Sequence, residues 1–253
     1  HPADGTVRAA IERAALAESL LVCLDFDGTL AEFNADPYAV APHPAAVDAL
    51  RTLAALPRTQ VAILSGRHLD GLRRVLPEIA GNVVLAGSHG AEPGPELSSD
   101  DAAYLDRIGA ALERIATAPA YVEVKPYQRV LHVAPIAGTP DAERMLAAAR
   151  ALDTGGRPVT PGHNVVEFSA VEITKGTWLS QHKHEFAATL FAGDDTTDET
   201  ALRVLDPRHD VGIKVGDQPS VAAHRVADVP AMAQVLSELA RARSARAGTA
   251  SAE

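Results

Sequence analysis

The chain has 253 residues, of which 47% are hydrophobic, and a formal net charge of -10. That length holds one large domain or two small ones with a proper core, and the acidic balance argues against nucleic acid or an anionic membrane as partner. Cys23 is the only cysteine, which excludes an internal disulfide, and no apolar run approaches the length of a membrane span.

Residues 3–19 are helical by composition, and the N-terminal stretch shows no basic segment followed by an apolar one. No signal peptide is therefore expected, and a reducing cytoplasm fits. The apolar run Leu20–Leu24 reads as a buried parallel strand, with Cys23 an inert thiol inside it, and it ends in D-x-D-G-T. Positions two apart on a strand share a face, so Asp25 and Asp27 point the same way at its carboxyl end, where open α/β sheets place ligand sites. Two like charges so close repel, and a hard divalent cation is the usual remedy. Gly28 permits a sharp turn beneath them.

A loop with three prolines, 32–44, leads to a helix over 45–56. A second strand-like run ends at Leu64 and is followed by Ser65-Gly66-Arg67, then by a helix over 68–75. A strand over 82–86 ends in Gly87-Ser88-His89-Gly90-Ala91-Glu92. The pattern then changes. A linker, EPGPELSSDD, precedes a helix over 102–116, alternating strands YVEVK and RVLHVAP, a helix over 140–152, the Gly/Pro stretch TGGRPVTPGHN, and a strand, VVEF. The parallel pattern resumes with Lys175-Gly176 opening a helix, and with strands near Leu190 and Val211. After Leu190-Phe191-Ala192 come Gly193-Asp194-Asp195-Thr196-Thr197-Asp198-Glu199. The tail from residue 241 is low in bulky apolar residues and is expected to fray. The expected fold is α/β: a Rossmann-like parallel sheet with helices on both faces, formed by 1–92 and 171–253, with an inserted α+β cap over 93–170.

The chain thus orders a carboxylate pair, a hydroxyl, a lysine and an acid cluster, a set suited to phosphoryl transfer. Asp25 is the candidate nucleophile and Asp27 the candidate general acid and base. Ser65 can hydrogen-bond a phosphoryl oxygen and Lys175 adds positive charge to it. Gly66 and Arg67 are candidate substrate contacts. A metal, expected to be Mg²⁺, would be held by Asp25, Asp27 and Asp194, with Asp195 or Asp198 completing the set through water. Asp198 and Glu199 serve equally well on paper as caps of the helix that starts near Thr197. In the insert, Glu123 and Lys125 share one strand face, and Asn164 and Glu167 flank another strand. They are candidate sugar contacts, and a solvated strand face is the plainer alternative. His89, in a glycine-flanked turn, is a candidate contact. His132 reads as a satisfied strand histidine, and Trp178 as packing for the lysine helix.

In this order and context the four segments resemble the haloacid dehalogenase superfamily of phosphatases. LDFDGTLAEF followed by DP, LSGR, GSHGAE, VEVK with LH, VVE before KG, and GDDTTDE resemble, more narrowly, the trehalose-6-phosphate phosphatase family, across residues 25–215. The resemblance implies Mg²⁺-dependent hydrolysis of trehalose 6-phosphate through an aspartyl-phosphate, with the backbone carbonyl of Asp27 as a further metal ligand. It implies that Glu123, Lys125 and Glu167 bind sugar hydroxyls from the cap, and that Gly87, Ser88, His89 and Gly90 line the core side of the sugar pocket. The chain departs from the family pattern at Ala134, where a basic residue is usual, and after Glu167, where Phe168-Ser169-Ala170 replaces an early proline. The rival readings are a phosphatase for sucrose 6-phosphate or mannosyl-phosphoglycerate, a phosphosugar mutase, and a non-catalytic sugar-phosphate sensor. The expected partner is a small-molecule sugar phosphate. Oligomeric state has no signal in the sequence.

Overall fold

The core can be read from β1 (Leu20–Leu24), whose five residues are all buried. They alternate between two packed layers, as the period of a strand demands. Leu20, Val22 and Leu24 join one apolar cluster with α1 (Gly5–Ala15), α2 (Pro44–Ala55), α3 (Leu69–Val75) and α8 (Val229–Ala250). Leu21 and Cys23 join another with Trp178 and Leu179 of α6 (Lys175–Lys183) and Ala201 and Leu202 of α7 (Thr196–Leu202). Burial pushes the Cys23 thiol far above its usual pKa, so it is chemically quiet. These elements belong to a computed structural model, which describes residues 5–94 and 96–250.

A strand buried on both faces calls for a parallel sheet. β1 lies between β2 (Thr59–Leu64), with β3 (Val83–Ala86) beyond it, and β8 (Ala188–Gly193), followed by β9 (Val211–Val215) and β10 (His224–Val226). The order is β10-β9-β8-β1-β2-β3, and every pairing is parallel. The sheet order reverses between β1 and β8, so the carboxyl ends of those strands form the crevice where such sheets bind ligands. Leu24 pairs with Ala192 on one side and Ile63 on the other. The D-x-D, serine and acid-cluster motifs therefore leave the sheet at one edge. Among the described residues no helix is long and apolar enough to cross a membrane.

The chain divides into two compact units, His1–Pro93 with Ile173–Glu253, and Gly94–Glu172. The second holds β4 (Tyr121–Val124), β5 (Gln128–His132), β6 (Val159–Gly162) and β7 (Val165–Ser169), antiparallel in the order β4-β5-β7-β6. Leu131, Val166 and Phe168 pack against Leu105, Ile108 and Leu112 of α4 (Ser99–Ile115) and Met145 and Leu146 of α5 (Pro140–Arg150). Both helices open on hydroxyl caps, Ser98 and Thr139, whose oxygens accept the Asp101 and Ala142 amides.

Several expectations need correction. The first helix ends at Ala15 rather than at residue 19, residues 3 and 4 lying outside the described residues. The tail does not fray at 241: α8 continues to Ala250. Arg243 links the two regions. It is 3% exposed, and its guanidinium donates to the carbonyls of Ala15, Ala17 and Arg58 and to Thr59 Oγ1 at 2.6 to 3.1 Å. It satisfies carbonyls at and just past the end of α1, as Arg246 does for Ala17, and it anchors the tail to β2. The Gly/Pro stretch contains β6, an edge strand in which Pro161 is tolerated because an edge has unpaired positions. β10, another edge strand, has no recognisable signal in its three residues. The run RVLHVAP leaves the sheet at His132, and Ala134–Ile136 is a 3-10 turn.

Candidate active site

The Asp25 amide donates to the Ala192 carbonyl at 3.0 Å, which extends the β1–β8 ladder by one residue and holds the carboxylate at the crevice. Thr29 Oγ1 donates to Asp25 Oδ2 at 3.1 Å and lies 3.4 Å from Asp194 Oδ1. Gly28, at φ +79°, turns the chain so closely beneath Asp194 that a side chain there would meet the carboxylate. Lys175 Nζ donates to Asp25 Oδ1 at 2.8 Å and to Asp198 Oδ1 at 2.7 Å. Lys175 is the first residue of α6, whose start is closed by a Thr174–Thr177 capping box. α6 can approach α7 because Gly176 has no side chain: a Cβ would lie 2.4 Å from the Thr200 carbonyl oxygen. A lysine at a helix N-terminus opposes the dipole, and here two carboxylates offset that.

Asp198 resolves the choice between cap and cluster by doing both. Its Oδ2 accepts the Asp194 and Asp195 amides at 3.0 and 2.9 Å, while its Oδ1 faces Lys175. Glu199 instead accepts from Ser220 Oγ and the Val221 amide at 3.0 and 2.8 Å, tying down the loop after β9. The Asp195 carboxylate stays at the start of α7 beside Thr196 and Thr197, outside the group formed by Asp25, Asp194 and Asp198.

Asp27 points elsewhere. Arg67 Nε and Nη2 grip its two oxygens at 2.7 and 2.8 Å, a bidentate fork that fixes the carboxylate plane. Ser65 Oγ accepts the Arg67 amide at 3.0 Å, which leaves the hydroxyl proton for another acceptor. Gly87 leads into the 3-10 turn Ser88–Gly90. The His89 ring occupies the space a side chain on Gly66 would need. Ser88 is buried, with its hydroxyl donated to Glu92 Oε2 at 2.7 Å.

In the antiparallel unit, Glu123 and Glu167 both lie opposite Val130, in one row on one face. Their charges are paired across strands and are not merely solvated. Glu123 Oε1 is 2.7 Å from His132 Nε2, a contact that holds the Glu123 pKa below the usual carboxylate value. Lys125 Nζ donates to Glu167 Oε2 at 3.3 Å. His132 also stacks on Tyr121. Asn164 sits at the β6–β7 turn with φ +60°, a backbone conformation asparagine tolerates. Two residues inside the recognised motifs, Thr29 and Glu92, received no role from sequence. Their position within D-x-D-G-T and GSHGAE was the available signal.

Asp25, Asp194 and Asp198 each bring an oxygen within 4.8 Å of the others. Three acids thus face one ammonium. Burial pushes the Asp25 carboxyl up to about 7, against the pull of Lys175 and with Asp194 adding to it. Burial and then Asp25 push Asp198 up to about 6, and burial also raises Asp194. Burial works against the Lys175 charge, but Asp198 and Asp25 outweigh it and hold its pKa above the usual lysine value. Surplus negative charge on oxygen donors alone fits a hard divalent cation, and the absence of sulfur or imidazole in the group fits zinc poorly.

A family model described as trehalose-phosphatase matches residues 23–234. A bifunctional trehalose-6-phosphate synthase/phosphatase of Thermoproteus tenax is 32% identical, aligned over 89% of this chain and 32% of the relative. A trehalose-phosphate phosphatase of Mycobacterium tuberculosis is 34% identical, over 92% of this chain and 65% of the relative. The chain therefore spans only part of the length of these curated relatives. Among solved structures, the trehalose-6-phosphate phosphatase C-terminal domain of Candida albicans superposes with a TM-score of 0.78 at 19% identity, covering 95% of this chain and 99% of that one. The trehalose-6-phosphate phosphatase of Aspergillus fumigatus gives 0.69 at 22%, covering 95% of this chain and 98% of that one. At these identities the structural likeness is one of fold.

Proposed function

The chain belongs to the trehalose-phosphatase family, and from that premise we propose that it hydrolyses trehalose 6-phosphate to trehalose and inorganic phosphate. The observation that carries the reading is the convergence of Asp25, Lys175, Asp194 and Asp198 at the carboxyl ends of β1 and β8. The proposal gives the catalytic role to the unit that contains those strands and the sugar-reading role to the Gly94–Glu172 unit. A cytoplasmic setting is part of it, consistent with one cysteine, free and buried.

Asp25 attacks phosphorus and the bond to the sugar oxygen breaks, with Asp27 supplying the proton that oxygen needs. Water then attacks the aspartyl-phosphate, gives its proton to Asp27, and frees Asp25 and phosphate. The Arg67 fork suits the second step, in which Asp27 acts as an ionised base. The first step requires Asp27 to part from Arg67 and carry a proton. Ser65 and Lys175 hold phosphoryl oxygens and balance their charge. Mg²⁺ held by Asp25, Asp194 and Asp198, with the Asp27 carbonyl or Asp195 as further candidates, would lower the repulsion between nucleophile and phosphate.

The metal can be tested without turnover. Asp25 near 7 and Asp198 near 6 are both raised from 3.8, so the metal-free fold binds more protons than the unfolded chain across that interval. Stability from these groups is complete below about pH 4 and is lost as pH rises toward about 7. Mg²⁺ needs the ionised carboxylates, so its stabilising effect grows over the same interval. The rise in Tm on adding Mg²⁺ to chelated protein should be larger near pH 8 than near pH 5. An equal rise at both, or none, would remove this carboxylate group as the metal site.

The substrate is tested by phosphate release from trehalose 6-phosphate, sucrose 6-phosphate, glucose 6-phosphate and p-nitrophenyl phosphate, with and without chelator. A preference for trehalose 6-phosphate of about tenfold or more is expected, and equal rates on the three sugar phosphates would overturn the assignment. Glu123→Ala sharpens it. A hydrogen bond to a charged group is worth about 1.5–3 kcal/mol, so kcat/KM on the disaccharide should fall by roughly ten- to a hundredfold. p-Nitrophenyl phosphate needs few sugar contacts and should be affected little. Equal losses on both substrates would mean that Glu123 acts through the stability of its own sheet, by way of His132.

A further inference from the structure

We infer that Glu92 is a positioning residue for the segment 65–69, acting through a strained turn that its carboxylate holds to the start of α3. The inference rests on the phosphatase reading of the same site. Loop 87–92 runs beside that segment and bonds it along its length. The His89 amide donates to the Ser65 carbonyl at 2.9 Å, the Ser88 amide to the Arg67 carbonyl at 2.7 Å, and the Leu69 amide to Glu92 Oε2 at 2.9 Å. For two successive amides to face one segment, Ser88 and His89 both adopt left-handed conformations, with φ +50° and +58°. Such values are unfavourable for side chains of either kind and persist only where surrounding contacts impose them.

Two contacts do so here. Gly87 and Glu92 exchange backbone bonds at 2.9 and 3.1 Å, which close the neck of the loop. Glu92 Oε2 also accepts from Ser88 Oγ at 2.7 Å while accepting from Leu69, so one oxygen joins the first strained residue to the first residue of α3. Both donors are neutral, so the clamp needs an acceptor at that reach, and the carboxylate charge strengthens the two bonds without setting their geometry. The clamped segment carries the two groups the chemistry needs in register: the Ser65 hydroxyl, set by the Arg67 amide, and the Arg67 fork that orients Asp27. A shift at Leu69 or Ser88 is passed to both.

The test uses Glu92→Ala, Glu92→Gln and Glu92→Asp, with p-nitrophenyl phosphate as substrate and hydrogen exchange as a readout independent of turnover. The Ala variant should lose kcat by about ten- to a hundredfold with little change in KM. Gln keeps a carbonyl acceptor at the same reach and should restore kcat to within about threefold. Asp keeps the charge but is one methylene short, and should not. The amides of Leu69, Ser88 and His89 should exchange faster in the Ala and Asp variants, with β1 still protected. An Ala variant with kcat within about twofold of the parent, rescue by Asp as good as by Gln, or unchanged exchange at those three amides would overturn the role. A lower Tm with unaltered turnover per folded molecule would do the same. A parent inactive on every phosphate ester would instead sink the phosphatase reading, and the exchange measurement would still decide whether Glu92 clamps the segment.

Discussion

Asp25→Asn is expected to reduce phosphate release by about 10⁴-fold or more while leaving the fold intact. The amide matches the carboxylate in shape, and its oxygen can still accept from Lys175 or Thr29, which lie 2.8 and 3.1 Å from the Asp25 oxygens. It cannot attack phosphorus, because it lacks the charge and its nitrogen lone pair is delocalised. The substitution also removes one of three crowded acids. Burial holds the Asp25 carboxyl near 7, so its charge opposes folding in the metal-free protein at neutral pH. The chelated variant should therefore melt at or above the parent temperature, and it should gain less from Mg²⁺. Turnover within tenfold of the parent would end the phospho-aspartate mechanism. A markedly lower Tm would contradict the electrostatic account of the site.

Lys175→Met should damage both activity and stability. Methionine keeps much of the apolar stem and deletes the ammonium that joins Asp25 to Asp198. Loss of a preorganised charge on the transferring group is worth about 10²–10³ in kcat. Breaking a buried pair by removing one partner costs about 3–5 kcal/mol, because the other charge is left uncompensated. Lys175 is 2% exposed and Asp198 fully buried, so solvent cannot take its place. Acid should relieve the damage, since protonating Asp25 and Asp198 removes the uncompensated charge. The fall in Tm should therefore be larger near pH 8 than near pH 5. A variant with normal Tm and turnover would show that the pairing is incidental. A lowered Tm with parental turnover per folded molecule would limit Lys175 to a structural part.

Much of the molecule follows from local pattern, because the physics involved is local. The run LLVCL is apolar at every position, as a parallel strand between two helical layers requires, and with the alternating strands and helices around it β1 and the fold class were legible. Side chains two apart on a strand and a glycine after D-x-D likewise act within a few residues. What stayed hidden depends on partners far apart in the chain. Lys175 was expected in the site of Asp25, but its direct pairing with that carboxylate, 150 positions away, was not, and Arg243 lies more than 180 from carbonyls of residues 15 and 58 that it bonds. Composition alone marks that tail as loose, and the buried Arg243, with Arg246 beside it on the Ala17 carbonyl, docks it behind the apolar face of α8. Among the acids of GDDTTDE, local sequence could not separate ligand from cap, since all sit within one turn of a helix start. Packing separated them: Asp194 and Asp198 turn toward Asp25, Asp195 stays at the helix end, and Glu199 goes to the loop after β9. Asp27, the obvious second acid of the pair, is taken by Arg67 from another strand end. The sequence by itself determined which chemical groups are available and in what order they leave the sheet. Only the tertiary structure decided which of them meet, because that depends on the register of β1 against β2 and β8 and on how closely α6 approaches α7.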